Sequence, residues 1–206
     1  MRSEVEGSPS DSRGPAGPAV HLLTQDEKTL LLRAARAAME SGVRREPLPP
    51  VEADVPDRLR ELGASFVTLT VSGGLRGCIG ALEPRKPLID DVREHAVAAA
   101  LEDYRFPPVT PDELHRIHIE ISRLTIPRPL DYSTPEGLLL KLRPHVDGVV
   151  LRDGIRRATF LPQVWEKISD PAAFLDNLCY KMGAPPGTWR RLNLEVLVYE
   201  VEEFSE

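Results

Sequence analysis

Two stretches constrain the fold of this chain more than any others: FVTLTV-SGG-LRGCIG from residue 66 and DGVVLRDGIRRATFL over 147–161. In FVTLTV, Val67, Leu69 and Val71 fall on one face and Phe66, Thr68 and Thr70 on the other, the two-residue period of a half-buried strand. Ser72-Gly73-Gly74 then reverses the chain, because glycine reaches positive φ at low cost and a tight hairpin turn needs it. LRGCIGAL (75–82) reads as the returning strand, and Asp153-Gly154 makes the same kind of turn inside 147–161. Tight hairpins pair strands antiparallel, so a chain built on them favours a largely antiparallel sheet over a doubly wound parallel one.

The other segments fit around such a sheet. A helix is expected over 22–41, with Thr24 and Glu27 as a capping box, an apolar stripe of Leu30, Leu31, Ala34, Ala38 and Met39, and Gly42 as its stop. Four prolines in 43–56 predict an extended connection. Residues 83–103 read as helical, with Pro87 in the first turn, Asp90 and Asp91 at its positive end, and an Ala-rich stretch at 96–100 suited to close packing on the sheet. Thr110 and Glu113 form a second capping box. In RIHIEISRL (116–124), Ile117, Ile119 and Ile121 point inward, with His118, Glu120 and Ser122 opposite. A helix follows from Ser133–Glu136 to about Leu142, another from Asp170-Pro171 to Gly183, and a last strand over 192–201. The expected fold is α+β, a largely antiparallel sheet flanked by helices. Residues 1–18, rich in Ser, Gly, Pro and charge, are expected to form a disordered tail.

Charge and cysteine usage narrow the function. With 26 Lys and Arg against 32 Asp and Glu, the net charge is −6, and aromatic residues are 5% of the chain. Both argue against nucleic-acid binding. The tight basic pairs Arg44–Arg45, Arg156–Arg157 and Arg190–Arg191 read as solvated surface. No apolar run approaches the roughly 20 residues of a membrane span, and the N-terminus has no apolar signal region. Cys78 and Cys179 are far apart, with no CxxC, disulfide framework or thiolate zinc set. A cytoplasmic protein is expected. His115, His118 and Glu120 have poor ligand spacing, so neither a metal nor another cofactor is expected.

The chemistry-bearing candidate is LRGCIG. On a regular strand Arg76 and Cys78 share a face with Cα atoms roughly 6.5–7 Å apart. A guanidinium across that gap would favour the thiolate, the nucleophilic form. Gly77 and Gly80 remove two side chains, so a ligand or another backbone can come close and a carboxylate or acyl oxyanion can rest on backbone N–H groups. The alternative is a small buried Cys78 with glycines that permit tight packing. Glu120, beside His118, is either an acid/base or part of an exposed polar face. Gln163 is a candidate cleft residue, and Trp165 a core residue. Asp103 and Arg105 are expected to pair, Phe106 to plug the core, and Cys179 to be buried and inert.

LRGCIG matches the hexapeptide that marks the AMMECR1 domain, and the resemblance continues through HAVAAALEDYRFPPVTPDEL (95–114), IEISRLTIPRPL (119–130), DGVVLRDGIRRATFLPQVWE (147–166) and FLDNLCYKMG (174–183). His95 stands where the family usually has asparagine, and Met182 where it has alanine. The resemblance covers about 20–206 and implies an AMMECR1 domain over 19–206 with two subdomains, the smaller sharing a cleft with the larger, and the signature motif near that cleft. It implies an enzyme or enzyme partner acting on a small molecule, with Cys78, Arg76 and Glu120 as catalytic candidates and Gly77, Gly80 and Gln163 as ligand-binding ones. A binding or adaptor domain is the alternative. It also resembles one member of a three-part system with Memo-like and radical-SAM proteins, which are the implied partners.

Overall fold

Ser72 and Gly73 both take positive φ, 50° and 79°, and fold β1 (Leu62–Val71) back onto β2 (Gly74–Gly80). Two consecutive positive φ values are what a turn matching the strand twist requires. β1 also pairs antiparallel with β4 (Ile117–Leu124), and β4 with β9 (Val201–Ser205), giving the order β2-β1-β4-β9; the short β3 (Lys86–Pro87) pairs with β1 beside this path. A computed structural model supplies this architecture for residues 22–51 and 54–206; the tail expected at 1–18 lies outside the described residues.

The inner face of this first sheet carries Val67, Leu69, Ile117, Ile119 and Ile121, packed against α1 (Gln25–Arg44) and α3 (Leu88–Leu101). The short α2 (Asp57–Arg60) adds Leu59 to that core. Ala96, Ala99 and Ala100 let α3 sit close to the strands. Thr24 and Glu27 cap α1 as expected. The helix nevertheless runs past Gly42, which packs on Val97, and ends where Arg45 takes a left-handed φ of 59°. α3 is shorter than 83–103, because Pro87 is held in β3 opposite Leu62 and residues 83–85 form a loop instead. Asp91 lies in the first turn of α3, as expected, and is buried there; it accepts the Ser65 hydroxyl at 2.7 Å and lies 3.1 Å from His95 Nδ1.

A second antiparallel sheet has the order β5-β8-β6-β7, from β5 (Arg128–Pro129), β6 (Gly148–Asp153), β7 (Arg156–Phe160) and β8 (Glu195–Tyr199). Its inner face packs on α4 (Pro135–Lys141), α5 (Pro171–Lys181) and α6 (Thr188–Arg191), burying Trp165 and Phe174 as stacked rings 3.6 Å apart. Trp165 donates its indole N–H to the Asp147 carbonyl at 2.7 Å, which is how a buried tryptophan satisfies its one polar atom. The last strand expected over 192–201 is two strands. The chain leaves the second sheet at Tyr199, crosses at Glu200 and enters the first sheet as β9. Backbone and side chain of Thr125 brace that crossing, with Thr125 N–H donating to the Glu200 carbonyl at 2.9 Å and Thr125 Oγ1 accepting from Glu200 N–H at 2.8 Å. Ala64, Leu124 and Tyr199 join the two layers, with Phe66, Val150 and Leu161 around them. The fold is therefore α+β with antiparallel sheets.

Candidate functional site

Arg76 does not lie beside the Cys78 thiol. The β1–β2 register slips between Leu69, opposite Gly77, and Thr70, opposite Leu75, leaving Arg76 as the extra residue of a β-bulge. The bulge breaks the alternation on which a shared Arg76–Cys78 face depends. Arg76 instead forks onto Glu113, with Nε on one carboxylate oxygen at 2.9 Å and Nη2 on the other at 3.2 Å, and Nη1 donates to the Pro107 carbonyl at 2.9 Å. Arg76 foremost, helped by the Thr110 N–H, lowers the Glu113 carboxyl to about 2. This capping glutamate thus ties β2 to the 3-10 turn at Pro111–Arg116.

Cys78 is half-buried on an edge strand. Edge strands carry backbone groups with no ladder partner, and here two side chains supply them. Cys78 N–H donates to Asp103 Oδ2 at 2.8 Å, and its carbonyl accepts from Arg105 Nη2 at 3.2 Å. Asp103 and Arg105 also pair with each other, Nε to Oδ1 at 2.8 Å and Nη2 to Oδ2 at 2.6 Å. Arg105, together with the Cys78 and Arg105 N–H groups, holds the Asp103 carboxyl well below the usual carboxylate range, although burial opposes this. Phe106 does not plug the core; it is half-buried beneath the Arg105 guanidinium, and Val109 is the core residue of this segment.

The thiol faces the outer side of the first sheet, where Thr68 donates its hydroxyl to Sγ at 3.3 Å. Thr68 stands opposite both Cys78 and Glu120, and Glu120 stands opposite Ser205, so these four form one row across the sheet. Glu120 is two strand spacings from Cys78, roughly 10 Å. His118 is exposed one step along, opposite Thr70. Among the described residues no group of three or more His, Cys, Asp or Glu comes together to hold a metal. The space beside the two glycines is filled by protein. A Cβ on Gly77 would lie 2.1 Å from the Ala99 carbonyl oxygen, and one on Gly80 would lie 2.4 Å from Phe66 and from the Ser65 carbonyl oxygen. Gln163 is elsewhere, donating to Glu203 at 2.7 Å in a smaller depression with Glu166 and Glu200. Cys179 is fully buried, and burial pushes its thiol up.

A cleft of about 860 Å³ opens beside the end of the motif. One wall is the loop Ala81–Arg85, the direct continuation of β2, anchored where Ala81 N–H donates to the Ser65 carbonyl at 3.0 Å. The other is the outer face of the second sheet, formed by the alternate residues Val150, Arg152, Thr159, Leu197 and Tyr199. The Tyr199 hydroxyl lies 3.1 Å from Thr159 Oγ1 and donates to the Phe160 carbonyl, and burial pushes it up to about 12. Arg157, read from the sequence as solvated surface, belongs to this cleft and pairs across it with Glu83. That pairing is invisible to sequence spacing because it joins a residue of the 81–85 loop to a strand of the second sheet.

The AMMECR1 family model matches residues 32–204. A protein of Methanothermobacter thermautotrophicus is 40% identical over 185 residues, covering 89% of this chain and 96% of that protein. One of Thermofilum pendens is 38% identical, covering 89% and 92%. The solved structure of an uncharacterized protein from Pyrococcus horikoshii superposes with a TM-score of 0.73 at 32% identity, over 89% of this chain and 93% of that one. Match, identity and coverage together place this chain in the AMMECR1 family.

Proposed function

We propose that this protein binds a small molecule in the cleft between its two layers, which act as two subdomains, and that LRGCIG holds the loop wall of that cleft in place. The cleft itself carries the reading. Its volume lies in the range of small-molecule sites, and polar groups converge on mostly apolar walls. The motif's bulge, glycine packing and Asp103–Arg105 clamp all fix the strand from which the wall emerges. A fragment screen followed by backbone amide NMR tests it. Shifts should cluster at Ala81–Arg85, Thr159 and Lys181; fragments that perturb only other surfaces would overturn it.

A second reading makes the protein an enzyme with Cys78 as nucleophile and Glu120 as acid/base. The Thr68 hydroxyl on Sγ and the Cys78–Thr68–Glu120 row favour it. Native iodoacetamide treatment should alkylate Cys78 and spare Cys179. Arg76→Ala should leave the rate at Cys78 within about twofold, because Arg76 serves Glu113 and not the thiol. An unmodified Cys78 would remove it as nucleophile. The family resemblance supports Memo-like and radical-SAM proteins as partners, and the two free cysteines support a cytoplasmic location. No described helix is long and apolar enough to cross a membrane.

A further inference from the structure

The cleft face of the second sheet sets like charges against each other. Arg152 stands directly opposite Arg157 in the β6–β7 register, and like charges directly across a strand pair destabilise it. On its other side Arg152 meets Glu195 at 3.5 Å, both side chains being well exposed. Such an exposed pair contributes little. From the opposite wall Arg85 reaches Glu83 at 3.0 Å, and Arg157 contacts the other oxygen of the same carboxylate. Those two arginines lower the Glu83 carboxyl, Arg85 first. Lys181, from α5, reaches the cleft too, donating to the Thr159 carbonyl at 2.9 Å above the Phe160 ring. Four cationic side chains therefore line one cleft beside a single acidic one, in a chain of net charge −6. Glu83 and Glu195 answer only part of that charge within the fold, whereas a bound anion turns the remaining repulsion into attraction. Between the charges the walls are apolar, with Leu82, Pro127, Val150 and Leu197 lining the same space.

Resting on the cleft reading above, we propose that the ligand is a small organic anion: a phosphate monoester or carboxylate on an apolar body. Arg157 and Arg152 receive its charge, and Glu83 competes with it for Arg157. Arginine forks suit both anions, since two parallel N–H donors match two oxygens.

Titrations of the full chain with phenyl phosphate, benzoate and the neutral benzyl alcohol, followed by amide NMR, test this. Both anions should shift Glu83, Arg157 and Thr159 and bind more tightly than benzyl alcohol. Arg157→Gln should weaken them about tenfold, the scale of one lost charge-assisted fork. Glu83→Gln should strengthen them about threefold, because it frees two guanidinium groups. That gain cannot come from misfolding, so it separates anion competition from a structural Glu83 latch. If benzyl alcohol binds the cleft as well as the anions do, and neither variant matters, the anion inference falls while the cleft reading stands. If none of the three moves a cleft amide, both fall.

Discussion

Gly77→Ala will destabilise the fold by roughly 3 kcal/mol or more, at the upper end of overpacking costs, whereas Gly74→Ala in the same strand will stay within about 0.5 kcal/mol. The difference lies in what each new methyl meets. At Gly77 it would lie 2.1 Å from the Ala99 carbonyl oxygen, with the Ala99 carbonyl carbon at 3.1 Å. That oxygen belongs to the backbone of α3 and cannot swing aside as a side chain can. Relief requires strand and helix to separate, which loosens Leu69, Val92 and Ala99 in the same core. At Gly74 the nearest atom is the Val71 carbonyl oxygen at 3.4 Å, an ordinary contact. Urea denaturation of the two variants reads this directly. Equal midpoints would mean that β2 tolerates displacement from α3, and the account of Gly77 as a packing residue would be wrong.

The hairpins, the capping boxes and the inner faces were readable from the sequence because each is decided within a few residues. Ser72-Gly73, Thr24 with Glu27, and the isoleucines of β4 need no distant partner to declare themselves. The misread features all depend on contacts far along the chain. Arg76 was expected beside Cys78 because a regular strand alternates. The bulge that removes it arises where Leu69 faces Gly77 under α3, and its partner Glu113 lies 37 residues on. The start of α3 is set by Pro87 pairing with Leu62, and the split of the last strand by which sheet each half can join. The cleft was implied by family resemblance, but its charge was not legible, since Arg85 and Arg157 meet only when the 81–85 loop and the second sheet face each other. An arginine pair such as Arg156–Arg157 reads as surface until its neighbours are known; Arg156 does bond to Asp153 in its own hairpin, while Arg157 reaches across to Glu83.

Asp103→Ala is expected to cost about 3 kcal/mol at neutral pH, the range for stripping one partner from a buried, charge-assisted network. Asp103 is buried and accepts from Cys78 N–H and from the backbone and side chain of Arg105. Arg105 is nearly half exposed and can turn to water, so the ion pair itself contributes modestly. The larger loss is the edge-strand N–H of Cys78, which no other side chain among the described residues reaches. Asp103→Asn keeps an acceptor for that N–H and should cost about half as much. The wild type also carries a pH signature. The folded Asp103 carboxyl sits below its unfolded value of about 3.9, so its contribution is complete above that pH and is lost as the pH falls through the lower folded value. Glu113, lowered to about 2 in the fold, acts in the same direction and in an overlapping window. Between pH 5 and 2.5 the wild type should therefore lose stability more steeply than Asp103→Ala, which has one such carboxyl fewer. Denaturation midpoints across that range measure the two slopes. Parallel slopes would show that the carboxylate is not what fastens β2, and amide exchange at Cys78 that stays as slow in Asp103→Ala as in the wild type would show that the edge strand has another anchor.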